Sequence, residues 1–124
     1  PLIFASASVL LLTLRDESAL SSTIPSKLQS YLAAGKPVIA CCNGEAASVV
    51  TKANAGLACP AGDAAALADA VLQLFQMTPE ERVRLGENGR AHFEAHYRLQ
   101  RRVTELVTHF EDVVTRHKCP ERIA

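Results

Sequence analysis

Short apolar runs separated by segments of helical period organise the first half of the chain. Ser8 to Leu14 (Ser-Val-Leu-Leu-Leu-Thr-Leu), Val38 to Cys42 and Gly56 to Pro60 read as strands. The middle run shows no polar alternation, which predicts a strand covered on both faces of a parallel sheet. Between the first two lies a polar loop, Arg15 to Ser22, and then a helix. Leu28, Tyr31 and Leu32 fall at i, i+3 and i+4 on that helix, Gly35 ends it, and Pro37 keeps it from resuming. Asn43-Gly44-Glu45 is a turn, and Glu45 to Ala53 has helical composition with Val49 and Val50 inward. Asp63 caps a further helix whose apolar positions are Leu67, Val71, Leu72, Leu74 and Phe75. The order β-α-β-α-β-α predicts a layered α/β domain with about three parallel strands.

The last third changes character and reads as helical throughout. Thr78-Pro79-Glu80-Glu81 combines a cap, a proline for the first turn and two acids there. Val83, Leu85, Phe93 and Tyr97 give this helix an apolar side, with Gly86 and Gly89 expected as a weak point or bend. Leu99, Val103, Leu106, Val107, Phe110, Val113 and Val114 recur at helical spacing, so a long amphipathic helix is expected to pack along something. Residues 119–124 are expected to fray. The division that follows is a Rossmann-like segment over residues 1–77 and a helical segment over 78–124 packing on it.

Composition narrows the function. The 124 residues carry 13 basic and 13 acidic side chains, so no global field recruits nucleic acid or an acidic membrane. Cys41, Cys42, Cys59 and Cys119 show no CxxC or Cys/His ligand spacing, which favours buried free thiols in a reducing compartment over disulfides or a metal site. His92 and His96 stand at i, i+4 without a third ligand at matching spacing, and solvent-facing histidines are expected. No membrane span or signal layout appears, so a cytoplasmic protein is expected. Arg98, Arg101 and Arg102 form a local basic cluster, read either as a solvated helix start or as a contact with a partner domain or the inner membrane surface. A sheet of three strands is small against the usual five or six, roughly. Either more sheet precedes Pro1 or another molecule, a second copy included, covers the first strand's edge; a missing N-terminal portion is the expectation.

The segment Thr23 to Ala40 carries the candidate chemistry. Pro25 suits the first helical position, with Thr23 or Ser22 as the cap. The free amides of Ser26 and Lys27, the positive end of the helix and the Lys27 ammonium would then form a small anion pocket. A capped structural helix beside a core strand reads the same way. A diphosphate-bearing ligand is the chemistry to test.

These segments in succession resemble a known family. Ala5 to Leu12, Thr23 to Ala40, Asn43-Gly44-Glu45, Ala55-Gly56-Leu57, Pro60 to Ala68, Pro79 to Arg82 and Gly86 to Arg90 are similar to the C-terminal part of bacterial family-4 glycosyltransferases. The similarity is greatest to the group that builds colanic acid, O-antigen and capsule. The resemblance implies the C-terminal half of a GT-B fold, which holds a nucleotide-sugar donor, with a uridine diphosphate sugar expected. It also implies metal-independent, retaining transfer onto an acceptor held by an N-terminal domain. The site residues it implies are Glu17, Ser22, Thr23, Ile24, Pro25, Ser26, Lys27 and Ser30, with the amides of Thr23, Ile24, Ser26 and Lys27 on the diphosphate; no catalytic residue is named. Family members carry a pair of glutamates where this chain has Ser22 and Ser30. Ser30, or Gln29 beside it, would make a weaker ribose contact, and Glu17 would replace the first glutamate if its loop folds back. As a separate chain the segment is expected to bind donor poorly and catalyse nothing. A non-catalytic nucleotide-binding or assembly module and a GT-B sugar epimerase are the other readings.

Overall fold

The computed structural model describes residues 2–117, so Cys119 and the 119–124 segment lie outside the described residues. Ten elements run in the order α1 (Leu2–Ser6), β1 (Leu10–Thr13), α2 (Ser18–Ser21), α3 (Ser26–Ala34), β2 (Val38–Cys41), α4 (Glu45–Lys52), β3 (Gly56–Cys59), α5 (Ala64–Gln76), α6 (Pro79–His96) and α7 (Leu99–His117). The three strands form a parallel sheet in the order β1-β2-β3, with Leu10 opposite Val38 and Val38 opposite Gly56. The fold is therefore α/β, as the alternation predicts. The strands are one to three residues shorter than the apolar runs.

Pleating divides β2 between two cores. Val38, Ala40 and Cys42 join Leu10, Leu12, Leu28, Leu32 and Val50 on the face covered by α3 and α4. Ile39 and Cys41 join Cys59, Ala70, Leu74 and Leu85 on the face covered by α5 and the start of α6. All four residues of β2 are buried, whereas β1 alternates buried and exposed. β1 is an edge strand, and its Leu11, on the second face, is left 44% exposed. The same exposure corrects the reading of α5. Of its apolar positions only Leu74 is deeply buried; Val71 and Leu72 are about half exposed and Phe75 is 79% exposed. Val71, Leu74 and Phe75, with Val9, Leu11 and Ile39, line an apolar groove of about 460 Å³ beside the β1 edge.

The helix ends follow local chemistry. Asp63 Oδ1 accepts from the Ala66 amide at 2.9 Å and starts α5. Thr78 and Glu81 close a reciprocal capping box: the Glu81 amide donates to Thr78 Oγ1 at 3.2 Å, and the Thr78 amide donates to Glu81 Oε2 at 2.7 Å. Arg82 Nη1 donates to the carbonyls of Leu74 and Met77, both at 3.2 Å, placing a cation on the negative end of α5. Gly86 and Gly89 do not bend α6, which runs unbroken. A Cβ on Gly86 would lie 2.1 Å from the Gly35 carbonyl oxygen, so the glycine exists to let α6 touch the end of α3. Asn88 Nδ2 donates to Asn54 O at 3.0 Å and ties the same helix to the α4–β3 turn. α7 differs: among the described residues it buries none of its own, and its whole apolar stripe is exposed.

Candidate functional site

The loops that follow the three strands meet at the carboxyl edge of the sheet, where open α/β sheets take their ligands. Thr13 at the end of β1, Leu14, Arg15 and Asp16 after it, and Ala61 and Gly62 after β3 line a crevice of about 540 Å³. A smaller hollow of about 280 Å³ adjoins it, walled by Thr13, Leu14, Cys41, Gly62, Asp63 and Leu67. Asn43 Oδ1 accepts from the Ala61 amide at 3.3 Å and holds the β2 and β3 loops together.

The chain then turns through α2 before reaching α3. The Glu17 carbonyl accepts from the amides of Leu20 at 2.9 Å and Ser21 at 3.0 Å, while its carboxylate makes no capping bond. Glu17 is thus an exposed residue at the start of a single turn. Ser22 ends that turn. Thr23 is fully engaged with it, because its amide donates to Leu20 O at 3.3 Å and its hydroxyl to Ala19 O at 2.8 Å. The turn is positioned by a residue from another loop. Gly44 has φ +86°, and a Cβ there would lie 2.0 Å from Ser21 O. Only glycine permits both that backbone and that approach.

The start of α3 corrects the capping expectation. Pro25 is itself the cap, with φ −64° and ψ 143°, and no side chain caps the helix. Thr23 and Ser22 are excluded because α2 absorbs them, and an extended Pro25 sets Ser26 as the first helical residue. Leu28 N donates to Pro25 O at 3.0 Å. The amides of Ser26 and Lys27 precede any intrahelical acceptor, as first-turn amides do. Both residues are exposed, whereas Ile24 and Pro25 are half-buried. Lys27 Nζ lies 5.7 Å from the Tyr31 ring centroid, a cation–π contact one turn along the helix. Ser30 Oγ donates back to Ser26 O at 3.2 Å and faces a groove of about 480 Å³ shared with Phe4, Ala5, Ala33 and Ala34. Ser22 to Lys27 therefore lie together at one helix start, Ser30 one turn further on beside α1, and Glu17 in the turn before.

The residues that sequence reading did not single out are Arg15 and Asp16, and Ala61 with Gly62. Both stretches were legible as loops; their meeting follows from the strand order, which places β1 and β3 on either side of β2. Elsewhere, His92 and His96 lie with ring centroids 4.4 Å apart. His92 is half-buried rather than solvent-facing, and burial first, then the charge of His96, hold its pKa below the ordinary value. The described residues contain no group of three or more metal-capable side chains.

Three parallel strands with helices on both faces and an open carboxyl edge define a Rossmann-like α/β unit. The profile of the family described as Glycosyl transferases group 1 matches residues 1–77, more than half of the chain, and the chain belongs to that family. Among solved structures, the chain is similar to the sucrose-phosphate synthase of Thermosynechococcus elongatus, with a TM-score of 0.71 and 23% sequence identity. That likeness covers 91% of this chain and 27% of the synthase, so the chain spans about a quarter of it and has the fold of a GT-B piece. No curated protein matches the chain significantly. Among the described residues, no helix is long and apolar enough to cross a membrane.

Proposed function

We propose that the chain is the nucleotide-sugar donor-binding region of a retaining glycosyltransferase, working with an acceptor-binding half to build surface polysaccharide. The observation that carries this reading is the start of α3. In a chain of the glycosyl transferase group 1 family, a nine-residue helix presents the amides of Ser26 and Lys27 beside a lysine, following the carboxyl end of a parallel strand. Transfer from a nucleoside diphosphate places growing negative charge on the leaving diphosphate. Fixed amides, the helix dipole and the Lys27 ammonium oppose that charge without a metal. The Ser30 hydroxyl, one turn along, keeps its acceptor lone pairs and offers the ribose a single hydrogen bond in place of a carboxylate's two. Arg15 and Asp16 in the crevice wall supply polar contacts for the sugar.

Titration of UDP, GDP and ADP into the chain joined to its acceptor-binding half tests the reading. One of them is expected to bind and to raise the melting temperature, with UDP favoured. Lys27→Ala is expected to weaken that nucleotide roughly tenfold while UMP or the matching monophosphate changes less. Failure of all three diphosphates to bind at millimolar concentration removes the donor-site reading.

A further inference from the structure

Cys41 and Cys59 stand opposite each other on neighbouring strands. They are register partners in the parallel β2–β3 pair and project into the same core, so the two thiols are neighbours there. Adjacent strands lie about 4.8 Å apart, within the roughly 4.4–6.8 Å between Cα atoms that a disulfide spans. Cys42 follows directly in sequence but points into the opposite core, away from both. The pair sits at the carboxyl edge of the sheet. Cys41 lines the hollow bounded by Thr13, Leu14 and Gly62, and its thiol donates to Pro60 O at 3.4 Å, which fastens the β3–α5 turn to β2.

We propose that Cys41 and Cys59 form a peroxide-sensitive dithiol whose closure to a disulfide releases the Pro60–Asp63 turn. In the first step the Cys41 thiolate attacks one oxygen of hydrogen peroxide. An S–O bond forms, the O–O bond breaks and hydroxide leaves, giving a sulfenic acid. In the second step the Cys59 sulfur attacks the Cys41 sulfur. The S–S bond forms, the S–O bond breaks, and the hydroxyl departs with the Cys59 proton as water. Two thiols lose two electrons, and one peroxide becomes two waters.

The environment assigns the two roles. Burial first, then the neighbouring Cys41 thiol, pushes the Cys59 thiol up to about 11, so it stays protonated and serves to resolve rather than to initiate. Cys41 borders the hollow through which a molecule as small as peroxide arrives. Oxidation removes the only hydrogen that Cys41 donates to the Pro60 carbonyl. The turn then keeps the Asn43–Ala61 bond at 3.3 Å as its tie to the β2 loop. Because Ala61 and Gly62 form one wall of the larger crevice, the change reaches that wall.

The test treats the full chain with a few equivalents of peroxide under native conditions, then alkylates it and maps the peptides by mass. The expected product is lighter by about two hydrogens, contains a Cys41–Cys59 cross-link and reverts with dithiothreitol. Cys42→Ala should form the same bridge. Cys59→Ala should instead accumulate a dimedone adduct on Cys41, whereas Cys41→Ala leaves Cys59 unlabelled. In the oxidised wild type, amides of residues 61–63 should exchange with deuterium roughly threefold faster or more. Full alkylation of every cysteine after peroxide, a bridge that uses Cys42 or Cys119, or dimedone labelling of Cys59 overturns the proposal. Unchanged exchange at residues 61–63 in a cross-linked protein overturns the release of the turn.

Discussion

Helices α6 and α7 are nearly equal in length, at 18 and 19 residues, yet they relate to the domain in opposite ways. α7 has the clean apolar stripe, Leu99 to Val114, and buries none of it. α6 has a broken stripe, with Val83 more than half exposed, and is nevertheless docked. Two glycines bring it against α3, Gly86 at the Gly35 carbonyl and Gly89 at the Leu32 side chain, while Leu85 joins the core under α5. Dense packing at short range, rather than the regularity of an apolar period, is what attaches a helix here. A sharp stripe records that a helix has an apolar face and says nothing of what covers it.

That contrast is open to five measurements, beginning with the largest effect. Gly86→Ala places a methyl group where the Gly35 carbonyl stands; because backbone cannot step aside cheaply, it should cost about 2 kcal/mol or more in chemical denaturation, despite alanine's better helix propensity. Gly89→Ala, whose Cβ would meet side-chain atoms at 3.2 Å, should cost distinctly less. Equal costs for the two would mean that Gly86 is not the contact that docks α6. Thr78→Ala removes the capping box and should cost about 1 kcal/mol in the same assay, with Thr78→Ser recovering most of it. Phe110→Ser on α7 should change stability by less than about 0.5 kcal/mol, as an exposed position does. A loss above roughly 1 kcal/mol would show that α7 is held by the domain after all.

The smallest effect is electrostatic. His92 lies on α6 near Tyr97, and its pKa in the folded chain is below the ordinary 6.5. The unfolded chain therefore takes up the proton first. Stability is full above the unfolded pKa and falls as the pH drops through about 6.5. His92→Gln should flatten the melting temperature between pH 7.5 and 5.5, and an unchanged slope would assign it to other groups.

Much of the scaffold was legible because its signals are local. The β2 run without alternation, Asp63 at the head of α5, and Thr78 with Glu81 at the head of α6 each act within a few residues. α1 escaped notice, since five residues show no period. α2 escaped because one helical turn inside a polar loop leaves no hydrophobic trace, and it is α2 that takes Thr23 and moves the cap to Pro25. The exposure of Val71, Leu72 and Phe75 depends on what lies over β1, a matter of neighbours and not of sequence spacing. The same holds at the site. Ser22 to Lys27 could be found from one segment, whereas the Arg15–Asp16 and Ala61–Gly62 wall exists only once the strands are ordered.

Gly44 gives the loop exchange between relatives a rule of its own. The α2 turn rests its Ser21 carbonyl against residue 44, on a different loop and after a different strand. Transplanting residues 15–25 from another member of the family will therefore reproduce the donor's loop shape only when glycine is retained at 44. In a library that varies both loops, position 44 should emerge as the one whose tolerance depends on the length and path of the other.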